Sequence, residues 1–277
     1  MEAVSSDMNA KAPLSVAIIT KDEAHNLPRC LSSVAFAGQI VVVDSGSVDG
    51  TVAMARDFGC DVYLEPWRGG FGPQKQFAID RCRHDWVLVL DADESVPPET
   101  ASVITGIVSA SDAGAAGFSF PRKNFFQGRW IRHAGWWPDR IVRLFRKAAG
   151  GMSSAMVHEG VEVRGRIDPL PVPLEHYTES RLSRILLKID HYSTLGAQEA
   201  FRNGRRSTPA AALLRGGFTF FQDYILRLGI LDGAPGLTLA VTDGVNKFFK
   251  YAKLAELGRK DRQQATSSRQ QATGNRQ

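Results

Sequence analysis

Three short apolar runs, Leu14–Ile19, Ile40–Val43 and Trp86–Leu90, each stop abruptly at polar or acidic residues. Runs of this length, apolar on both faces and rich in β-branched residues, are the signature of strands buried on both sides of a parallel sheet. Helical patterns lie between them, with Leu27, Leu31 and Val34 after the first run and Val52 to Phe58 after the second. Asp61–Leu64 adds a strand and Pro73–Cys82 a helix, and the alternation continues through Val108. Such alternation predicts an α/β fold: a mostly parallel central sheet with right-handed crossovers, flanked by helices.

The ends of these strands carry the chemistry. In open α/β sheets ligands gather beyond the carboxyl ends of the strands. Thr20 to Glu23, Asp44 to Thr51 and Asp91-Ala92-Asp93 each follow a predicted parallel strand, so the topology brings all three to one rim. Two carboxylates one residue apart suit a hard divalent cation with oxygen ligands, such as one that bridges a diphosphate. Acidic residues also end strands by starting a turn or capping the next helix, and Asp44-Ser45-Gly46-Ser47 has the composition of such a turn.

Charge and cysteine usage narrow the setting. The net charge of +5 is modest but uneven, with Arg and Lys crowded between Arg122 and Lys147 and in the last third. That suits an anionic ligand or a membrane surface better than nucleic acid, for which no binding motif accompanies the charge. Cys30, Cys60 and Cys82 are odd in number and lack Cys-x-x-Cys spacing, which predicts neither a disulfide framework nor a zinc site and fits a reducing cytosol. Residues 1–13 are polar, without the n-region and h-region of a secretory signal, and are expected to form a disordered leader. The longest apolar stretches are broken by Arg215, Asp223, Arg227 and Asp232, so no spanning helix is expected. No Gly-x-Gly-x-x-Gly follows the first strand, which argues against a dinucleotide-dependent dehydrogenase.

From Gly117 the regular alternation gives way to shorter pieces, Phe118–Phe120, Arg140–Phe145 and Val161–Val163, which predict mixed or antiparallel sheet. Helical periodicity returns from Arg181 to Phe201. A loop with Pro209 then leads into Leu213–Leu257, where Phe218, Phe221, Tyr224 and Phe248 mix with Arg215, Arg227, Lys247 and Lys250. Aromatic residues interspersed with cations suit helices at a membrane interface, and equally helices packed on their own domain. The Gln-, Ser- and Arg-rich stretch 258–277 is expected to be a disordered tail. The predicted organisation is therefore a leader (1–13), an alternating strand–helix half (14–116), a half of shorter strands (117–180), amphipathic helices (181–257) and the tail.

Four ordered matches, the Val-Ala-Ile-Ile-Thr opening at Val16, Asn26-Leu27-Pro28-Arg29-Cys30-Leu31, Val41 through Thr51, and Leu90-Asp91-Ala92-Asp93-Glu94, resemble the family 2 nucleotide-sugar glycosyltransferases with the GT-A fold. Pro138-Asp139 with Arg143-Leu144-Phe145-Arg146, and Val157-His158-Glu159, resemble the lipopolysaccharide-core branch of that family, although the Glu-Asp pair of other branches is only half present here. The resemblance implies a donor pocket in which Asp44 accepts a hydrogen bond from the nucleotide base, lined by Thr20, Glu23 and Ser45. Lys75 would contact ribose or diphosphate, Asp91 and Ala92 would lie near ribose or sugar, and Asp93 would hold Mg²⁺ or Mn²⁺, with His158 completing the metal shell.

An inverting transfer also needs a carboxylate to take the proton of the attacking hydroxyl. Asp139 is the first choice and Glu159 the competing base; a surface pair of Asp139 with Arg140 or Arg143 is the structural alternative. Trp136 and Trp137 would stack on an acceptor sugar or pack in a core, and Arg140 would hold anionic acceptor groups or sit at a solvated strand edge. The implied reaction moves a hexose, glucose first, from a UDP-sugar to a lipid-linked glycan at the cytoplasmic face of the inner membrane, with the lipopolysaccharide inner core as favoured acceptor. Other acceptors (polyprenyl phosphate, exopolysaccharide, protein) and a non-catalytic nucleotide-sugar-binding protein are the rival readings.

Overall fold

Leu88 and Leu90 face one side of the sheet and Val87 and Val89 the other, and all four are fully buried. The pleat sends alternate side chains to opposite faces, so each face needs its own cover. On one side Leu88 and Leu90 join Leu14, Val16, Ile18, Leu27, Leu31 and Ile104. On the other Val87 and Val89 join Ala17, Val41, Val43, Ala78 and Ile79. The computed structural model describes residues 11–110, 114–153, 160–178 and 181–274, the side chains of 262 and 265–274 excepted.

The chain divides into two compact units, Met1–Asn124 with Pro138–Tyr177, and Phe125–Trp137 with Thr178–Gln277. The first unit opens with β1 (Ala12–Thr20), α1 (Leu27–Ser33), β2 (Ala37–Asp44), α2 (Thr51–Asp57), β3 (Asp61–Leu64), α3 (Phe71–Asp80) and β4 (Trp86–Asp91). It continues through β5 (Glu94–Ser95), α4 (Pro98–Ser109) and β6 (Gly117–Phe126), the last of which turns into β7 (Arg129–Trp130) of the second unit. After β8 (Asp139–Arg146) come β9 (Gly150–Met152), β10 (Val161–Val163), β11 (Ile167–Pro169) and β12 (Leu174–Tyr177).

The sheet order is β3-β2-β1-β4-β8-β6-β12-β5. The first four strands are mutually parallel, and β8 joins β4 antiparallel. The order reverses between β1 and β4, which is the switch point beside which such sheets hold ligands. Register brings the tips together there: Thr20 is the partner of Asp44, and Ile19 of Asp91. Residues 117–178 do not form a separate half, because β6, β8 and β12 extend the same sheet. β8 is flanked on both sides, by β4 and β6, at Leu144 and Phe145, whereas Arg140 is paired with β6 and stays exposed at a strand edge; Arg143 is buried.

The second unit holds the β6–β7 turn and the helices α5 (Leu182–Arg202), α6 (Pro209–Phe221) and α7 (Gly233–Gly274). Thr208 caps α6 by accepting from the Ala211 N–H at 3.2 Å, with Pro209 preset for the first turn. A π turn (Gln222–Leu226) and a 3₁₀ turn (Gly229–Asp232) link α6 to α7. The two helices cross closely, since a Cβ at Gly216 would lie 2.9 Å from the Gly244 carbonyl oxygen. Among the described residues no single helix is long and apolar enough to cross a membrane; Pro209–Leu226 and Gly229–Asp261 pass that test only as a pair, bent by 70°.

Two expectations at the ends of the chain change. β1 already begins at Ala12, inside the predicted leader, whose residues 1–10 lie outside the described residues. α7 runs to Gly274, through most of the predicted disordered tail. Polarity suggested disorder, but Arg, Lys, Gln and Ala are good helix formers, and no Pro interrupts 258–274.

Candidate active site

The β1–α1 and β2–α2 loops clasp one another. Asp44, 1% exposed, accepts from the Gly46 and Ser47 N–H groups at 2.9 and 2.8 Å, from the Thr20 hydroxyl at 2.9 Å, and from the Ser47 hydroxyl. Gly46 takes φ +89°, which an L side chain rarely adopts, so the loop can fold back on its own carboxylate. Lys21 Nζ donates to the Gly46 carbonyl at 2.7 Å, and Asp22 accepts from the Val48 N–H at 2.8 Å. Asp44 thus organises the loop with both of its oxygens. Glu23 receives Asn26 Nδ2 at 2.9 Å, and the Ser45 hydroxyl accepts from Gln74 Nε2 at 3.1 Å, which ties the loop to α3.

At the tip of β4, Asp91 lies between two cations. Lys75 Nζ is 2.5 Å from Oδ1 and Arg143 Nη2 is 2.6 Å from Oδ2. Burial by itself would raise the Asp91 pKa, but the charges of Arg143 and Lys75 outweigh it and hold the carboxyl well below its usual range. The same Arg143 nitrogen donates to Glu94 Oε1 at 2.7 Å, and Glu94, fully buried, also accepts from the Asp91 N–H at 3.1 Å. Desolvation would depress Arg143, yet Glu94 and Asp91 raise its pKa, so it stays charged in the interior. Glu94 then meets Arg122 Nη1 at 3.2 Å, and Arg122 continues to Asp139.

Asp139 heads β8, and its partner is Arg122, where the sequence offered Arg140 or Arg143. Arg122 Nε and Nη2 reach its Oδ2 at 2.9 and 2.6 Å, and Asn124 Nδ2 reaches the same oxygen at 3.3 Å. Arg140 is exposed and donates to the Leu170 carbonyl at 3.2 Å. Ala92 is buried between the two acidic residues. Asp93 faces His176 of β12, with Nε2 and Oδ2 3.3 Å apart, while His176 Nδ1 meets Asn124 Oδ1 at 2.7 Å. Each carboxylate of Asp91-Ala92-Asp93 is therefore connected to Asp139 by its own chain: Arg143, Glu94 and Arg122 from Asp91, and His176 and Asn124 from Asp93.

The structure thus brings Thr20, Glu23, Asp44, Ser45, Lys75, Asp91, Ala92, Asp93 and Asp139 into the first unit, around the carboxyl rim of the sheet. His158 and Glu159 lie outside the described residues. Trp136 and Trp137 belong to the second unit, where Trp136 packs edge-on against Phe126 in a small core and Trp137 meets Trp130 at 5.2 Å. Arg122, Asn124 and His176 were not anticipated at the site, nor was Glu94 as a buried bridge. Among the described residues no three acidic, His or Cys side chains converge as a metal site. At this rim the Asp93–His176 pair offers a carboxylate oxygen and a ring nitrogen 3.3 Å apart, donors that suit Mn²⁺ or Mg²⁺, and neighbouring ligands of an octahedral ion with bonds of ~2.1 Å stand roughly 3 Å apart.

The pattern that defines glycosyl transferase family 2 matches residues 15–159, and the chain belongs to that family. It is a glycosyltransferase. The lipopolysaccharide core biosynthesis glycosyltransferase LpsC of Rhizobium meliloti (strain 1021) is 32% identical over 266 residues, which cover 89% of this chain and 93% of that protein. An uncharacterized glycosyltransferase of Rickettsia bellii is 27% identical over 259 residues, covering 88% and 86%. Among solved structures, S. aureus TarS 1–349 in complex with UDP-GlcNAc is 14% identical with a TM-score of 0.46, covering 90% of this chain and 92% of that one.

Proposed function

We propose that this glycosyltransferase moves a hexose, glucose in the first instance, from a UDP-sugar to a lipid-linked bacterial glycan, the lipopolysaccharide inner core, with inversion at the anomeric carbon. The observation that carries the reading is the pairing of a fixed carboxylate, Asp139, with the Asp93–His176 pair across one amide. The similarity to LpsC supports the acceptor class. In the proposed reaction an acceptor hydroxyl attacks the anomeric carbon and gives its proton to Asp139, while the bond from that carbon to the diphosphate oxygen breaks and UDP leaves. Thr20, Glu23, Asp44 and Ser45 shape the nucleotide end, and Lys75 and Asp91 stand beside ribose and diphosphate. Mg²⁺ or Mn²⁺ held by Asp93 and His176 would take up the charge that builds on the departing diphosphate.

Attachment to the cytoplasmic face of the inner membrane is part of the same reading. Leu214, Phe218, Phe221 and Ile225 form one stripe of the helical unit and are 73%, 59%, 46% and 42% exposed. Asp223 and Asp232 of the same stretch are 4% and 1% exposed. Apolar side chains outside and acids withdrawn reverse the usual order of a water-facing surface, while Arg215 and Lys247 offer charge to anionic headgroups. Asp139→Asn tests the chemistry: donor binding persists and transfer is lost. Substantial remaining transfer would move the base assignment to Glu159.

A further inference from the structure

Asn124 sits in β6 and is 4% exposed, with one end of its amide on Asp139 and the other on His176. A carboxylate only accepts hydrogen bonds, so the end 3.3 Å from Asp139 Oδ2 must be Nδ2. That choice fixes the rest. Oδ1 faces His176 Nδ1 at 2.7 Å and requires a hydrogen there. In the neutral ring Nε2 then carries the lone pair, and it points at Asp93 Oδ2, 3.3 Å away. Two acceptors aimed at each other without a hydrogen between them repel, and the contact becomes favourable when a proton or a metal cation lies between them.

We propose that Asn124 is a positioning residue with two tasks: its amide oxygen sets the His176 tautomer that leaves Nε2 available to a divalent cation, and its amide nitrogen seats the Asp139 carboxylate. The proposal rests on the reading that Asp93 and His176 hold the cation and that Asp139 is the base. A merely structural asparagine would fill a buried polar position without distinguishing the two ends. The two-task residue makes the ends separable. Asn124→Asp keeps an acceptor for the His176 Nδ1–H but sets a like charge against Asp139, whereas Asn124→Ala removes both contacts.

The test measures Mn²⁺ binding by calorimetry in the presence of UDP, together with kcat for transfer and a thermal melt of each variant. Loss of an outer hydrogen bond to a metal-bound His costs roughly 10- to 100-fold in metal affinity. Asn124→Ala should weaken Mn²⁺ by about that much and lower kcat, and Asn124→Asp should hold Mn²⁺ within about threefold of the parent while kcat still falls by about tenfold or more. Equal Mn²⁺ affinity in parent and Asn124→Ala, or equal loss in both variants, overturns the proposal. If Asn124→Ala does not fold, Asn124→Asp against Asn124→Ser gives the same comparison. His176→Ala and Asp93→Ala are the controls for the underlying reading: if neither weakens Mn²⁺, the metal assignment falls and the proposal with it, whereas weakening there with none in Asn124→Ala rejects Asn124 alone.

Discussion

Arg122 reaches Asp139 twice on one oxygen, with Nε and Nη2 at 2.9 and 2.6 Å from Oδ2. Both N–H groups lie in the guanidinium plane, so they fix where the carboxylate stands, which a single lysine ammonium cannot do. Arg122→Lys should therefore lower kcat by about 10- to 100-fold through misplacement of Asp139. The dissociation constant for UDP should change by less than about twofold, because the residues proposed to contact the donor lie elsewhere. Steady-state kinetics beside calorimetric UDP binding check the split; an equal loss in both would remove the positioning role.

Arg143 joins Asp91 to Glu94 in the interior, and Glu94 is fully buried. Removing one partner of a buried pair strands the other charge, at a cost of about 3–5 kcal/mol. Arg143→Ala should lower the urea midpoint accordingly, with the slope unchanged. A variant as stable as the parent would mean that water already reaches Glu94.

Asp243 of α7 supplies a pH dependence separate from catalysis. Burial, and then the neighbouring Asp223 carboxylate, push its pKa up to about 6 against the pull of Arg227. In the unfolded chain an aspartate titrates near ~3.9. A raised acid stabilises the fold most below the unfolded pKa, and that contribution is lost as pH rises through the folded one. Stability should thus decline between about pH 4 and pH 6 because of this residue. Asp243→Asn should melt higher than the parent at pH 8 and show no such gain at pH 4; identical melting curves for the two proteins at pH 8 would contradict it.

The exposed stripe of α6 predicts a membrane effect without a chemical one. Phe218→Glu with Phe221→Glu should lower the fraction that sediments with anionic vesicles by about tenfold. UDP release with a soluble acceptor analogue should stay within about twofold, because neither side chain belongs to the unit that holds the proposed base Asp139. Unchanged sedimentation would leave the stripe without a lipid role.

What the sequence revealed and what it hid follow from distance along the chain. β1, β2 and β4 were legible because each is a local run ended by its own polar tip, and strand-end topology sufficed to group Thr20, Asp44 and Asp91. Glu94 stands beside the Asp-x-Asp pair but reads as one more surface acid until Arg122 and Arg143 arrive from two antiparallel strands. Register between β6, β8 and β12 leaves no local pattern, so His176 and Asn124, 52 residues apart, gave no signal of their meeting. Arg143 looked like an edge cation because its covering strands lie elsewhere in the sequence. The pairing of a His with a buried Asn is found only once the sheet is assembled.

The most direct test is UDP release from a panel of UDP-hexoses, with purified protein, Mn²⁺ and a lipid-linked core acceptor, repeated with chelator and with Asp93→Ala. The proposed transfer requires release from one UDP-hexose, UDP-glucose first, that chelator abolishes and Asp93→Ala reduces by at least about 100-fold. No release from any UDP-hexose, together with donor binding unchanged in Asp93→Ala, would contradict it.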